Sequence, residues 1–107
     1  MAKDESFFLA IIERVFYNRG EVIHVKKACE VLTVFREDGV YPLRFRYYSI
    51  EDVEYLTVDV ERVEFIRTRN KNGLVEKTYV VTGKRKQKKD TYALYQNPRD
   101  KSWWLVS

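Results

Sequence analysis

Residues 42–68, PLRFRYYSIEDVEYLTVDVERVEFIRT, alternate apolar and polar side chains at the two-residue period of a strand, which restricts this part of the chain to an antiparallel meander. Leu43, Phe45 and Tyr47 share one face, with Arg44, Arg46 and Tyr48 on the other. Leu56, Val58 and Val60 repeat the pattern against Asp59 and Glu61. A sheet with one solvated side follows. At Glu61-Arg62 the parity changes, because Val63 and Phe65 carry the apolar face at odd positions. One inserted residue bends and twists a strand, so a bulge or corner is expected there, curling the sheet toward a barrel.

Ahead of the meander, Phe7, Phe8, Ile11, Ile12, Val15 and Phe16 recur at spacings of three and four. Asp4 or Ser6 stands as a cap before them and Gly20 as a stop after them. This pattern predicts an amphipathic helix over residues 5–19. From residue 21 the pattern is that of strands. Ile23 and Val25 alternate with His24 and Lys26, and residues 29–35 are β-branched and apolar on both faces, as in a strand covered on both sides. Asp38-Gly39 and Asn72-Gly73 supply the backbone freedom of tight hairpins, while Pro42, lacking a donor, belongs at a strand start or edge. Residues 83–90 contain nothing to bury and are expected as an exposed loop. Residues 92–95 and 103–106 form the last strands, on either side of a turn at 96–101. The expected fold is mainly β (α+β), with one N-terminal helix packed on a strongly curled antiparallel sheet or small partly open barrel of about six to seven strands over residues 21–107. The alternative is a helix laid across an open bent sheet, as in cystatin-like folds.

With 107 residues the chain makes a single domain, since a second core would bury too little to offset its ordering entropy. Cys29 is the only cysteine, so no internal disulfide forms and a reducing compartment is expected. The opening MAKDESFFLAIIERVF has no basic segment ahead of its apolar stretch and is interrupted by Glu13 and Arg14. It is expected to be neither a signal peptide nor a membrane span, which places the protein in the cytoplasm.

Residues for catalysis are lacking. His24 and Cys29 stand five positions apart, on opposite faces of any continuous strand, and a nucleophile would need a break at Lys26-Lys27. Glu51, Asp52, Glu54, Asp59, Glu61 and Glu64 alternate with core residues in the manner of a solvated strand face, without metal-ligand spacing. The four glycines are isolated, so no phosphate-cradling loop exists. No cofactor, metal or enzymatic activity is expected.

The charge is more informative. The net +4 comes from one place: without Lys84, Arg85, Lys86, Lys88 and Lys89 the chain would hold fifteen basic residues against sixteen acidic ones. Such a cluster resembles the footprint of phosphate-neutralising proteins, and Arg67, Arg69 and Lys71 join it if the sheet curls suitably. Tyr48, Tyr95 and Trp104 point away from the expected core and offer rings on which bases could stack. The sequence therefore predicts a noncatalytic nucleic-acid-binding domain acting through residues 84–89. The alternative, from the aromatic load and from strand edges that need covering, is a protein-interaction or self-assembly module.

Arg44-Phe45-Arg46-Tyr47, Tyr92-Ala93-Leu94-Tyr95 and Trp103-Trp104-Leu105 also resemble the recurring aromatic strands of a small bacterial mainly-β family of unknown function, sometimes appended to Y-family DNA-polymerase-like proteins. The resemblance covers residues 21–107 and leaves the expected helix unmatched. It implies a nucleic-acid context and no catalytic residues. WYL-domain regulators share the terminal aromatic strand, though the rest of the chain departs from their pattern.

Overall fold

The computed structural model describes residues 13–18, 22–37 and 39–106, with the backbone alone for 13–18 and 22–25. Seven strands follow one another: β1 (Glu13–Asn18), β2 (Val22–Arg36), β3 (Gly39–Ser49), β4 (Glu54–Lys71), β5 (Leu74–Arg85), β6 (Lys88–Gln96) and β7 (Trp103–Val106). Each pairs antiparallel with the next, and β7 returns to β2, so β2 to β7 close into a six-strand barrel. The length of β2 makes this possible. Cys29 pairs with Tyr47 of β3 on one edge and with Trp103 of β7 on the other. Lys26 and Lys27 pair with β7 and also with β1, so β1 takes up the edge that β3 leaves.

The helix expected over residues 5–19 is overturned where it can be followed. Glu13–Asn18 is strand β1, with Val15 opposite Val25 and Phe16 opposite His24, while residues 5–12 and 19 lie outside the described residues. Val15, Phe16 and Tyr17 are β-branched or aromatic and gain little from a helix. The free edge of β2 offers them a complete hydrogen-bonding ladder instead. Among the described residues the protein is all-β rather than α+β, and the barrel is closed rather than partly open. The open bent sheet of the cystatin-like alternative is likewise replaced by a closed barrel.

The interior is filled by Phe45, Val58, Tyr79, Val81 and Leu94, each exposed by 2% or less. Each contributes roughly 1.5–3 kcal/mol through burial. The Tyr79 hydroxyl donates to the Val40 carbonyl at 2.8 Å, so the largest of these side chains leaves no polar atom unsatisfied. The corner expected at Glu61-Arg62 is present as a register shift between Val60 and Arg62. A second shift between Val63 and Phe65 turns Phe65 out to 51% exposure and brings Ile66 against the core in its place. A third, between Leu32 and Thr33, skips Leu43, which is exposed instead of sharing the interior with Phe45. Pairing of β3 with β4 ends at Arg44 and Asp59, so Pro42 stands where β3 is bonded to β2 alone, in the edge position its missing donor requires.

Two turns explain the reach of the barrel's hairpins. Asn72 and Gly73, at φ 54° and 82°, join β4 to β5 as expected. The loop expected at 83–90 is instead a hairpin, because β5 runs to Arg85 and β6 begins at Lys88. Only Lys86 and Gln87 make the turn, at φ 50° and 68°. Gly83 is a buried strand residue: a Cβ there would lie 2.4 Å from Val58 Cγ1 and 3.0 Å from Tyr92 Cε1.

Candidate functional site

Past its bulges, β4 places Arg67, Arg69 and Lys71 at alternate positions, which puts them on one side of the strand about 7 Å apart. On β5, β6 and β7, Thr78, Ala93, Tyr95 and Val106 alternate with the inward-facing Tyr79, Leu94 and Leu105 and so form the barrel's outer wall. This wall is concave because the hairpins on either side of it overhang. The β5–β6 pairing ends at Lys77 and Gln96, whereas β4 and β5 continue together to Lys71 and Leu74. On the other side β2 continues with β1 beyond its last pair with β7, Lys26 and Val106. Between them lies a cleft of about 750 Å³, lined by Arg67, Arg69, Lys71, Glu76, Tyr95 and Lys26 over the Thr78, Ala93 and Val106 floor.

Hydrogen bonds order the middle of this cleft. Lys26 Nζ sits 4.9 Å from the centre of the Tyr95 ring, a distance at which the ring face attracts a cation. The Tyr95 hydroxyl donates to Glu76 Oε2 at 2.8 Å, and Arg69 donates to Glu76 Oε1 through Nε at 3.1 Å and Nη2 at 3.0 Å. The Tyr95 bond above all, with help from Arg69, holds the Glu76 carboxyl below its ordinary range, so it is ionised at neutral pH. Burial and then the bond to Glu76 push the Tyr95 phenol up to about 12. Four cations thus surround one carboxylate, and among the described residues Arg67 and Lys71 form no ion pair.

The residues predicted from the sequence therefore separate into two groups. Arg67, Arg69, Lys71 and Tyr95 meet in the cleft. Lys84, Arg85, Lys86, Lys88 and Lys89 occupy the hairpin at the opposite end of β5, roughly 25 Å of strand from Glu76. There the excess charge is offset by acids from other strands. Lys89 Nζ contacts Glu61 Oε1 at 3.1 Å, and Lys84 is in register with Asp59, which Arg44 holds at 2.6 Å. Burial raises the Tyr47 phenol pKa, and the charges of Arg85, which lowers it, and of Asp52, Asp90 and Glu51, which raise it, also reach this group.

The rings expected to be exposed are largely covered. Tyr48 is buried at 7% exposure, edge-to-face with Tyr55 at 5.1 Å, and the half-buried Trp104 donates from Nε1 to Ser102 Oγ at 3.0 Å. Phe35 and Phe65 stand out instead. Burial, with the nearby Glu30 charge, pushes the Cys29 thiol up to about 12, and β2 runs unbroken through Lys26-Lys27, so no nucleophile is prepared there. Among the described residues no three His, Cys, Asp or Glu side chains gather as metal ligands. Sequence reasoning missed Lys26 and Glu76, which belong to no motif.

Fold and surface together define a small closed all-β barrel, filled inside, with a cationic cleft on its outer wall. No family model, curated protein or solved structure matches the chain.

Proposed function

We propose that this domain is a noncatalytic nucleic-acid-binding module whose cleft holds phosphates on Arg67 and Lys71, with Lys26 and the Glu76-bound Arg69 adding to its positive potential. The observation that carries this reading is the row of Arg67, Arg69 and Lys71 along β4, facing Lys26 across a floor that includes Tyr95. Cations spaced along a groove displace the counterions of a polyanion, and an aromatic floor tolerates any base. The basic hairpin adds a second contact. Lys84 faces Lys89 and Arg85 faces Lys88 across it, and although Glu61 holds Lys89, like charges directly opposite one another favour a bound polyanion.

Titration of labelled single-stranded and duplex oligonucleotides at low and moderate salt tests the proposal. Binding should weaken with salt at a slope of about −0.7 per phosphate held on a single strand. Replacing Arg67, Arg69 and Lys71 together by Gln should remove most of the affinity, and neutralising the five hairpin cations should remove less. Absence of binding at low salt refutes the proposal.

A second reading, protein contact or self-assembly, is favoured by the apolar β2–β3 hairpin, where Phe35 is 82%, Leu32 59% and Leu43 41% exposed. Sedimentation over a range of concentrations, compared between the wild type and Phe35→Ser, distinguishes it.

A further inference from the structure

We infer that the cleft takes a single strand and that Glu76 selects bases carrying an exocyclic amino group, favouring cytosine and adenine over thymine. This rests on the reading of the cleft as a nucleic-acid site. The volume of about 750 Å³ falls in the range of roughly 300–1,000 Å³ that encloses one small ligand, which is room for a nucleotide or two and not for a duplex. Arg67 and Lys71, four residues and about 13 Å apart along β4, match the order of spacing between every second phosphate of an extended single strand. Arg67 and Lys71 are available for those phosphates, whereas Arg69 is committed through two nitrogens to Glu76.

Glu76 is an unexpected group to find in a phosphate-binding cleft, and its hydrogen bonds show what it can still accept. An ionised carboxylate has about four acceptor positions. Arg69 takes two, both on Oε1, and Tyr95 takes one on Oε2, which leaves a single position on Oε2 for a ligand. The side chain retains 15% exposure, and both of its oxygens are held, so it neither swings away from an unsuitable base nor is sealed off from a suitable one. A group that meets the remaining position must donate. The amino groups of cytosine and adenine do so, and acceptance from cytosine by a carboxylate is an established pairing. The only donor on thymine's pairing edge lies between two carbonyl oxygens, which a fixed carboxylate repels. A cationic cleft without Glu76 would bind all three alike.

Fluorescence anisotropy at low salt, with labelled oligo-deoxycytidine, oligo-deoxyadenosine, oligo-deoxythymidine and a mixed-sequence duplex, tests this on the wild type and on Glu76→Gln. Thermal melting confirms that the variant is folded. The cytosine and adenine strands should bind about tenfold tighter than the thymine strand, the worth of one charge-assisted hydrogen bond, and the duplex should bind more weakly than either. Glu76→Gln should bring the three single strands to within about threefold, since its amide presents both a donor and an acceptor. Equal affinities in the wild type, or a preference that survives Glu76→Gln, overturns the selection by Glu76 and leaves the binding function standing. Duplex binding tighter than every single strand overturns the single-strand assignment. If no oligonucleotide binds, the nucleic-acid reading itself fails.

Discussion

Gly83→Ala is expected to destabilise the barrel, although in most strands the same change helps. Gly83 does not require a left-handed backbone, so alanine gains about 0.4–1 kcal/mol by restricting the unfolded chain. Against this, the new methyl would stand 2.4 Å from Val58 Cγ1, where ordinary contact begins at 3.4 Å. Val58 has 0% exposure and packs among Phe45, Val81 and Leu94, so it moves only by displacing them. Overpacking costs about 1–3 kcal/mol, and so close a contact in a fully buried site belongs in the upper half of that range, which leaves a net loss of about 1–2.5 kcal/mol. Urea unfolding followed by the fluorescence of Trp103, which packs on Tyr79 at 5.5 Å, should show the midpoint falling by about 0.5–1 M. Val58→Ala alone should cost about 2 kcal/mol through the cavity it leaves. In the double variant the two methyl groups no longer compete for one space, so its loss should be smaller than the sum of the single losses by about 1–2 kcal/mol. A neutral or stabilising Gly83→Ala, or strict additivity in the cycle, would refute the packing described for this corner of the core.

Phe45→Ala should cost about 3–5 kcal/mol and Lys86→Ala less than about 0.5 kcal/mol in the same urea assay; comparable losses would mean the faces of β3 are misassigned. Replacing Lys86-Gln87 by Asn-Gly should raise stability by about 1 kcal/mol, because both positions have positive φ without glycine. An unchanged midpoint would count against the tight turn. At alkaline pH the raised thiol of Cys29, from 9.0 to about 12, and phenol of Tyr95, from 10.0 to about 12, mean that the folded state keeps protons the unfolded state has released. Their contribution is full below about pH 9 and is lost as pH rises toward 12. Melting temperature against pH should fall across that window, and less steeply in Cys29→Ala; identical slopes would exclude the buried thiol as a cause.

What could be read from the sequence was what short-range pattern encodes. The meander, the corner at Glu61-Arg62 and the Asn72-Gly73 turn each depend on neighbouring residues alone. The apolar spacing before residue 20 fits a helix as well as a strand, and the edge of β2 that decides for the strand is not adjacent in sequence. Leu43 and Phe65 lie on the face opposite to the one their alternation predicts, because a single-residue bulge falls at Leu43 and another immediately before Phe65, and nothing in the local pattern marks either. Gly83 looked like the start of a basic loop, although an isolated glycine after Tyr79, Val80, Val81 and Thr82 is also the mark of a close approach within a strand. The site shows the same division. The basic alternation of Arg67, Arg69 and Lys71 is visible in one strand, but Lys26 and Glu76 join it only through the curl of the sheet. Counting charge along the chain likewise could not register Glu61 and Asp59 lying beside residues 84–89.

The closure of β7 on β2 also sets how this chain must fold and how it fails. Among the described residues every other pairing joins strands that are consecutive in sequence, through connections of the kind that close on the microsecond scale. The seam between residues 26–29 and 103–106 joins positions 74 to 80 apart through four residue pairs, so it carries the largest loop-closure entropy on a ladder no longer than that of β6 with β7. The barrel therefore zips as a curled ribbon and seals last. When it breathes, the seam opens first and exposes two unsatisfied strand edges at once, each complementary to the other. At high concentration the opened edge of β7 is expected to meet the β2 of another molecule, with strand exchange across the seam as the expected route to linked dimers.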